Sequence, residues 1–376
     1  MREPSFSVGV EEEYLLVDKT SRKLASSPPK ELFSACERAL EGRVSPEFLQ
    51  CQIEVGTPVC MTLSEVRAEL AYFRKTVAKE ASVHNFAPIA ASTHPFAEWT
   101  DQPHTDKERY NQIARTMQVV ARRMLICGMH VHVGIEDDEL RLDLFNQLAY
   151  FLPHLLALST SSPFWRGRNT GLKSYRLAVF NEMPRTGLPP RFESHHEYRQ
   201  IVDILSHAGV LEDATKIWWD LRPSDRFPTL ELRITDVCPR LDDAVAIAAL
   251  YRCLCRMLYR LRRANQSWRP YSRFLLAENR WQAQRYGTAA SLIDFGRNET
   301  APFVDLAEEL IELVSPDAAF FGCEAEVEHI RTIALEGTSA DKQIALAGDI
   351  PDDGLIQAET LNRIVDHLLV ETQSGL

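Results

Sequence analysis

No run of apolar residues in this sequence is long enough to cross a bilayer. The longest, Ala244 to Tyr251, falls far short of the about 20 residues that a spanning helix needs. Met1-Arg2-Glu3-Pro4 opens without an apolar h-region, so a cytoplasmic protein with no membrane partner is expected. CxxC pairs and zinc-finger spacings are missing too. The eight cysteines, at positions 36, 51, 60, 127, 238, 253, 255 and 323, suit free reduced thiols rather than a disulfide framework. A basic excess is also lacking: the formal net charge is −11, which argues against general nucleic-acid binding, whose footprint is a basic patch on a basic domain. One local exception is the stretch from Arg252 to Arg273 with its seven arginines, of which Arg252, Arg256 and Arg260 share a helical face. It reads as a solvated face or subunit contact, with a polyphosphate-facing patch as the alternative. A Walker-type phosphate loop is absent as well, because the glycines of Gly167–Ser174 stand one residue too close for GxxxxGK[ST].

What is present is an ordinary globular composition, 376 residues with 45% hydrophobic and 25% charged, enough for one large core or two modest domains. Its most informative stretch is Ser7-Val8-Gly9-Val10-Glu11-Glu12-Glu13-Tyr14-Leu15-Leu16-Val17. The apolar residues give it strand character, and a period of two sends Glu11 and Glu13 to one face and Glu12 to the other. Two parallel carboxylates repel unless a cation lies near them. Oxygen ligands of this kind suit Mg²⁺ or Mn²⁺. The competing reading is a solvated edge strand blunted by charge.

Further along, Glu47 to Pro58 reads as a second strand, in which Glu54, flanked by Ile53 and Val55, stands where a plain buried strand would avoid charge. Thr62-Leu63-Ser64-Glu65 has the form of a capping box, followed by a core stripe of Val66, Leu70, Phe73 and Val77. Cys127 to Ile135 alternates, so His130 and His132 share one strand face and Met129, Val131 and Val133 the other. Such a pair can hold zinc, bind phosphate or sit in the interior as hydrogen-bonded residues. Leu140 to Leu158 predicts a buried helix kinked at Pro153. The Gly/Pro-punctuated loop from Ser161 to Pro190 carries Arg166, Arg168, Arg176 and Arg185, guanidinium forks suited to carboxylate or phosphate. Thr229 to Asp236 puts Glu231 and Arg233 on one strand face, either as a neutralising ion pair or as an acid and a cation at a site. A helix is expected from Asp242 or Asp243 to about Arg263. Beyond Gly296 the chain reads as acidic and helical, without chemistry.

Half-polar strands separated by helices predict an α+β fold: a mainly antiparallel sheet with helices on one side and a polar trough on the other. Glu11, Glu13, Glu54, His130, Glu231 and Arg233 can all project into that trough.

Seven segments then carry a resemblance, in the same order and over about residues 5 to 335: Gly9 to Glu13, Gln52 to Glu54, Ser92 to Phe96, Gly128 to Gly134, Trp219 to Pro223, Thr229 to Arg233 and Trp281 to Gly287. Together they resemble the carboxylate-amine ligase family also called glutamate–cysteine ligase type 2, itself similar to the glutamine-synthetase and guanidino-kinase superfamily. The resemblance implies a curved antiparallel sheet as the floor of a funnel for ATP and metal, and a single catalytic domain over residues 1–376. It implies ATP-dependent joining of a carboxylate, typically the γ-carboxylate of glutamate, to an amine such as that of cysteine, with Mg²⁺ or Mn²⁺ as cofactor. Glu11, Glu13, Glu54 and Glu231 match its metal-ligand acids. His130 and Arg233 match positions near the metals and the transferred phosphate, and Arg176 and Arg185 the substrate loop. By the same resemblance Arg233, His130 and Arg185 are assigned to catalysis, and Arg176, His132 and Arg233 to the nucleotide. Related proteins dimerise, so a homodimer is expected. Two departures, Asn169 for an Asp and Pro228 for a Gly, lie in or beside the substrate region and bear on which amine is used. A zinc hydrolase on His130 and His132, a guanidino-type kinase and a non-catalytic binding module are the alternatives. Retained zinc, a phosphorylated product without condensation and binding without turnover distinguish them.

Overall fold

The computed structural model describes residues 2–376. The acidic stretch forms β1 (Val8–Asp18), the longest strand of a seven-stranded sheet with β2 (Val44–Pro46), β3 (Gln52–Gly56), β4 (Phe86–Ile89), β5 (Met129–Gly134), β6 (Leu221–Pro223) and β7 (Thr229–Leu232). The order is β6-β7-β5-β1-β3-β2, with β4 also beside β1. Every pairing is antiparallel, as the half-polar pattern requires.

The helices that matter to the site are α1 (Leu63–Ser82), α2 (Asp138–Leu148), α3 (Leu152–Ser159), α4 (Tyr175–Phe180), α5 (Leu241–Arg263), α6 (Arg273–Tyr286) and α7 (Phe303–Phe321). Thr62 and Glu65 close the expected capping box at the start of α1. α1 and α5 pack on β1, and Val8, Val10, Glu12, Tyr14 and Leu16 of that strand are buried. Glu12 is tolerated there because Arg74 of α1 grips both its oxygens, at 3.0 and 2.5 Å, while the Tyr14 hydroxyl donates to it at 2.5 Å. Both charges are fully buried, so removing either partner alone is expected to destabilise the fold by about 3–5 kcal/mol.

Two expectations are corrected. The predicted kinked helix is α2 and α3 separated by a 3₁₀ turn at Ala149–Phe151. Pro153 sits in the first turn of α3, where its missing N–H and fixed φ do no harm. The arginine face of α5 is engaged by protein groups and lies outside the cleft described below. Arg252 donates to the carbonyls of Phe6 and Met61, both at 2.8 Å. Arg256 and Arg260 converge on Asp317 of α7, which is fully buried, at 2.6–2.8 Å. Their spacing served packing. Among the described residues, no helix is long and apolar enough to cross a membrane.

Candidate active site

Antiparallel register decides which acids meet. Glu13 lies opposite Glu54, Glu11 opposite His130, and Glu231 opposite His132, and residues so paired have Cβ atoms about 5 Å apart on one face. A cleft of about 340 Å³ opens over them. Glu11, Glu13, Glu47, Glu54, His130, His132, Glu231 and Arg233 line it, with Arg109, Arg176, Arg222, Trp218 and Phe227 among the wall residues. All the predicted acids, both histidines, Arg176 and Arg233 are therefore brought together. Arg185 is not among the lining residues. Its Nε donates to the Lys216 carbonyl at 2.9 Å and its guanidinium lies over the Trp218 ring, 5.4 Å from the centroid, so it reaches the cleft only through Trp218.

Ligand atoms cluster within 4.8 Å of one another in three groups: Glu11, Glu54 and His130; Glu11, His132 and Glu231; Glu13, Glu47 and Glu54. Glu11 and Glu54 each belong to two. Glu47, expected to open a strand running to Pro58, instead lies in the turn between β2 and β3, and the sequence assigns it no role. The β2–β3 pairing brings its segment across from Glu54, and the only sequence signal was its place in the same extended run.

The two halves of the floor differ electrostatically. On one side Glu11 lies 3.1 Å from His130 Nδ1 and 3.5 Å from His132 Nε2. Burial opposes its charge, but the two imidazoles outweigh burial and hold the carboxyl well below its ordinary range. Glu231 takes a bidentate fork from Arg222, at 2.7 and 3.1 Å, and a further bond from Arg233 Nη1. Burial again opposes, and Arg233 and Arg222 win, lowering its pKa. Burial drives His130 down to about 4, helped by Arg233. His132 is also desolvated, yet Glu11 and Glu231 raise it. On the other side positive charge is short. Burial and the nearby Glu47 push Glu13 up to about 8 despite Arg176 and a 2.7 Å bond from the Gly128 amide. Burial and the charges of Glu47, Glu11 and Glu13 raise Glu54 well above the carboxylate range, and burial raises Glu47.

Three crowded acids whose pKa values burial and mutual repulsion raise, for want of positive charge, make a site that fits a hard divalent cation. The donors are oxygens with single imidazoles, the set that suits Mg²⁺ or Mn²⁺. His132 Nε2 is buried and lies 3.5 Å from the Glu11 carboxylate, a spacing that leaves this nitrogen free to join the same ligand set.

Arg176 is 3% exposed. It donates to the carbonyls of Arg233 at 3.2 Å and Ile234 at 3.4 Å, and its guanidinium lies over Gly128, where a Cβ would fall 2.3 Å from Nη2. Only glycine leaves that space. Behind it stands fully buried Asp236, which accepts from Ser161 N, Ser162 Oγ and Ser174 Oγ at 2.7–2.9 Å. Ser162 Oγ in turn accepts from Arg176 N at 3.1 Å.

This constellation agrees with comparison to known proteins. Residues 7–367 match the model of glutamate–cysteine ligase family 2. The chain belongs to glutamate–cysteine ligase family 2. A relative from Rhodospirillum rubrum is 60% identical over 380 residues, covering 100% of this chain and 98% of its own. One from Jannaschia sp. is 55% identical over 364 residues, covering 97% and 96%. Both carry glutamate–cysteine ligase 2 as a provisional name. Among solved structures, a glutamate–cysteine ligase from Francisella tularensis in complex with AMP gives a TM-score of 0.70 at 14% identity, over 98% of this chain and 89% of that one. A bifunctional glutathione synthetase from Pasteurella multocida gives 0.68 at 13% identity, over 97% and 52%. At such identity these two speak for the fold alone. Membership of family 2 makes the protein a ligase that forms an amide bond, and the resemblance carried by the seven segments is borne out.

Proposed function

We propose that this family 2 ligase uses ATP to join the γ-carboxylate of glutamate to an amine, with cysteine the first to try, through an acyl phosphate, and that residues 1–376 act as one catalytic domain. The observation that supports this best is the shared floor: three carboxylate-rich groups in one cleft beside Arg233 and Arg176. A carboxylate is a poor electrophile, and phosphorylation turns one of its oxygens into a leaving group. In that step a carboxylate oxygen attacks the γ-phosphorus of ATP and ADP leaves. The amine nitrogen then attacks the acyl carbon, the C–O bond to phosphate breaks, and the amine proton is released. Such transfer needs positioning and charge neutralisation more than covalent help.

Arg233 anchors Nη1 on Glu231 while its buried Nε has no partner, which leaves a donor for a phosphoryl oxygen. Arg176, held by backbone carbonyls and by no carboxylate among the described residues, keeps its charge for an anionic substrate. His130, largely neutral at pH 7, orients Glu11 without adding charge. Glu11, Glu13, Glu47, Glu54, His132 and Glu231 would hold Mg²⁺ or Mn²⁺, which supplies charge neutralisation for the phosphates when bound. The zinc-hydrolase alternative is less favoured because His130 and His132 fall in different groups, each with two carboxylates. In the test, ADP and phosphate form only when ATP, a carboxylate and an amine are all present, and a condensed product appears by mass. Equal ATP turnover without amine and no condensed product rejects the ligase chemistry.

A pH prediction follows from the crowded acids. The folded pKa of Glu13, about 8, lies above its ordinary 4.5, so the unfolded chain loses this proton first. The stability of the metal-free protein therefore falls as pH rises from about 4.5 to 8. A cation entering there displaces protons. Titrating Mn²⁺ at pH 7 in two buffers of different ionisation enthalpy should show proton release, with affinity rising toward pH 8. Binding that releases no proton and ignores pH contradicts the assignment.

A further inference from the structure

The segments Trp219 to Pro223 and Trp281 to Gly287 lie mostly outside the acid floor, yet they bracket a buried ion pair. Arg280 of α6 holds Asp220 with Nε to Oδ2 at 2.6 Å and Nη2 to Oδ1 at 3.1 Å. Asp220 is 2% exposed and Arg280 8%. The backbone of Asp220 does something more specific: its carbonyl accepts the N–H groups of both Arg233, at 2.9 Å, and Ile234, at 3.0 Å. Beyond Leu232 the regular β7 ladder has ended, so these two bonds set where the Arg233 backbone lies. Arg280 Nη2 also reaches Asn181 Oδ1 at 3.3 Å, just past the end of α4.

The same helix grips the other arginine from the opposite end of α4. The Gln284 carbonyl accepts from Lys173 N at 2.9 Å and Ser174 N at 3.1 Å, and Gln284 Nε2 donates to the Ser174 carbonyl at 3.2 Å. Ser174 is the residue that opens α4, which carries Arg176. Thus α6 is bonded to the segments that present Arg233 and Arg176 to the cleft. Arg280 and Gln284 line a separate surface groove of about 620 Å³ that shares no lining residue with the cleft, so neither belongs to the substrate wall.

We propose that α6 is a bracket fixing Arg233 and Arg176 relative to one another, with Arg280 as a positioning residue that acts on Arg233 through Asp220. This rests on the proposed ligase reading, in which Arg233 meets the phosphoryl group. A shift of about 1 Å in such a group costs on the order of a hundredfold in rate. Lysine at 280 keeps the charge but cannot span both oxygens of Asp220 while reaching Asn181.

The test is a double-mutant cycle of Arg280→Lys and Arg233→Lys. It is read as turnover and, independently, as affinity for the β,γ-imido analogue of ATP with Mg²⁺, with thermal melts alongside. Arg280→Lys alone should cut turnover on the order of a hundredfold, weaken analogue binding and leave the KM values for the acid and the amine nearly parental. In the Arg233→Lys background it should cost about twofold or less, because the group it positions is gone. If Arg280→Lys does not fold, Asp220→Asn, which keeps the carbonyl and loses the charge, enters the same cycle. A parental Arg280→Lys, or a cost that persists in full beside Arg233→Lys, overturns the inference. The binding arm reads the coupling without any acid–amine pair, so absence of turnover in the parent protein counts against the ligase reading alone.

Discussion

Replacing Arg233 by lysine should lower turnover on the order of a hundredfold or more while the Mg²⁺ dependence stays nearly unchanged. The fork is the reason. Arg233 bonds Glu231 through Nη1, its Nε is buried without a partner, and its side chain is 10% exposed. A lysine ammonium can satisfy Glu231 but cannot also present a second donor in a fixed plane. Glu231 would remain neutralised by the bidentate Arg222, so the acid floor and its metal affinity should survive. Steady-state kinetics over a Mg²⁺ titration, with melts to establish folding, read the two effects separately. Were Arg233 only the partner of the buried Glu231, lysine would keep the charge of the pair and turnover would stay close to parental.

Glu54→Gln is expected to move activity and stability in opposite directions. Glu54 belongs to two of the three acid groups, so an amide there should weaken Mg²⁺ or Mn²⁺ binding and turnover on the order of a hundredfold. In the metal-free protein the same change relieves strain. Burial and the charges of Glu47, Glu11 and Glu13 raise the folded pKa of Glu54 well above its ordinary 4.5, so at neutral pH the unfolded chain binds fewer protons than the folded one and stability is lost as pH rises from about 4.5. Glutamine resembles the protonated acid and carries no such penalty. Melting temperatures without metal should therefore be higher for the variant at pH 8, the gap closing toward pH 4. A variant less stable at pH 8, or one with parental metal affinity, contradicts the assignment.

The parts of this site legible in the sequence were those written in a local period. Alternation along β1, β5 and β7 gave the facing of Glu11, Glu13, His130, His132, Glu231 and Arg233, because a strand fixes side-chain direction within a few residues. The antiparallel α+β class followed from the same half-polar pattern. What alternation cannot give is partnership across the chain. Arg222 meets Glu231 only through the β6–β7 hairpin, and Asp236 gathers serines from positions 161, 162 and 174. Glu47 enters by a turn after β2 and not by a period. Periodicity also misled where it was real but served packing. Arg256 and Arg260 lie on one face of α5 because both bind the buried Asp317 of α7. Arg185 and Arg176 fall in one expected loop, yet Arg176 sits on the short helix α4 while the guanidinium of Arg185 settles on Trp218, since loop sequence does not fix side-chain direction.

The central claim, that this cleft makes an amide by way of an acyl phosphate, is tested most directly by following oxygen. Glutamate labelled with ¹⁸O in its γ-carboxylate is supplied with ATP, Mg²⁺ and cysteine, and inorganic phosphate and product are analysed by mass. The account predicts that each condensation transfers one labelled oxygen from the carboxylate to phosphate, because the carboxylate oxygen that attacks phosphorus departs with it. Condensed product accompanied by unlabelled phosphate, or phosphate released with no condensed product, would contradict it.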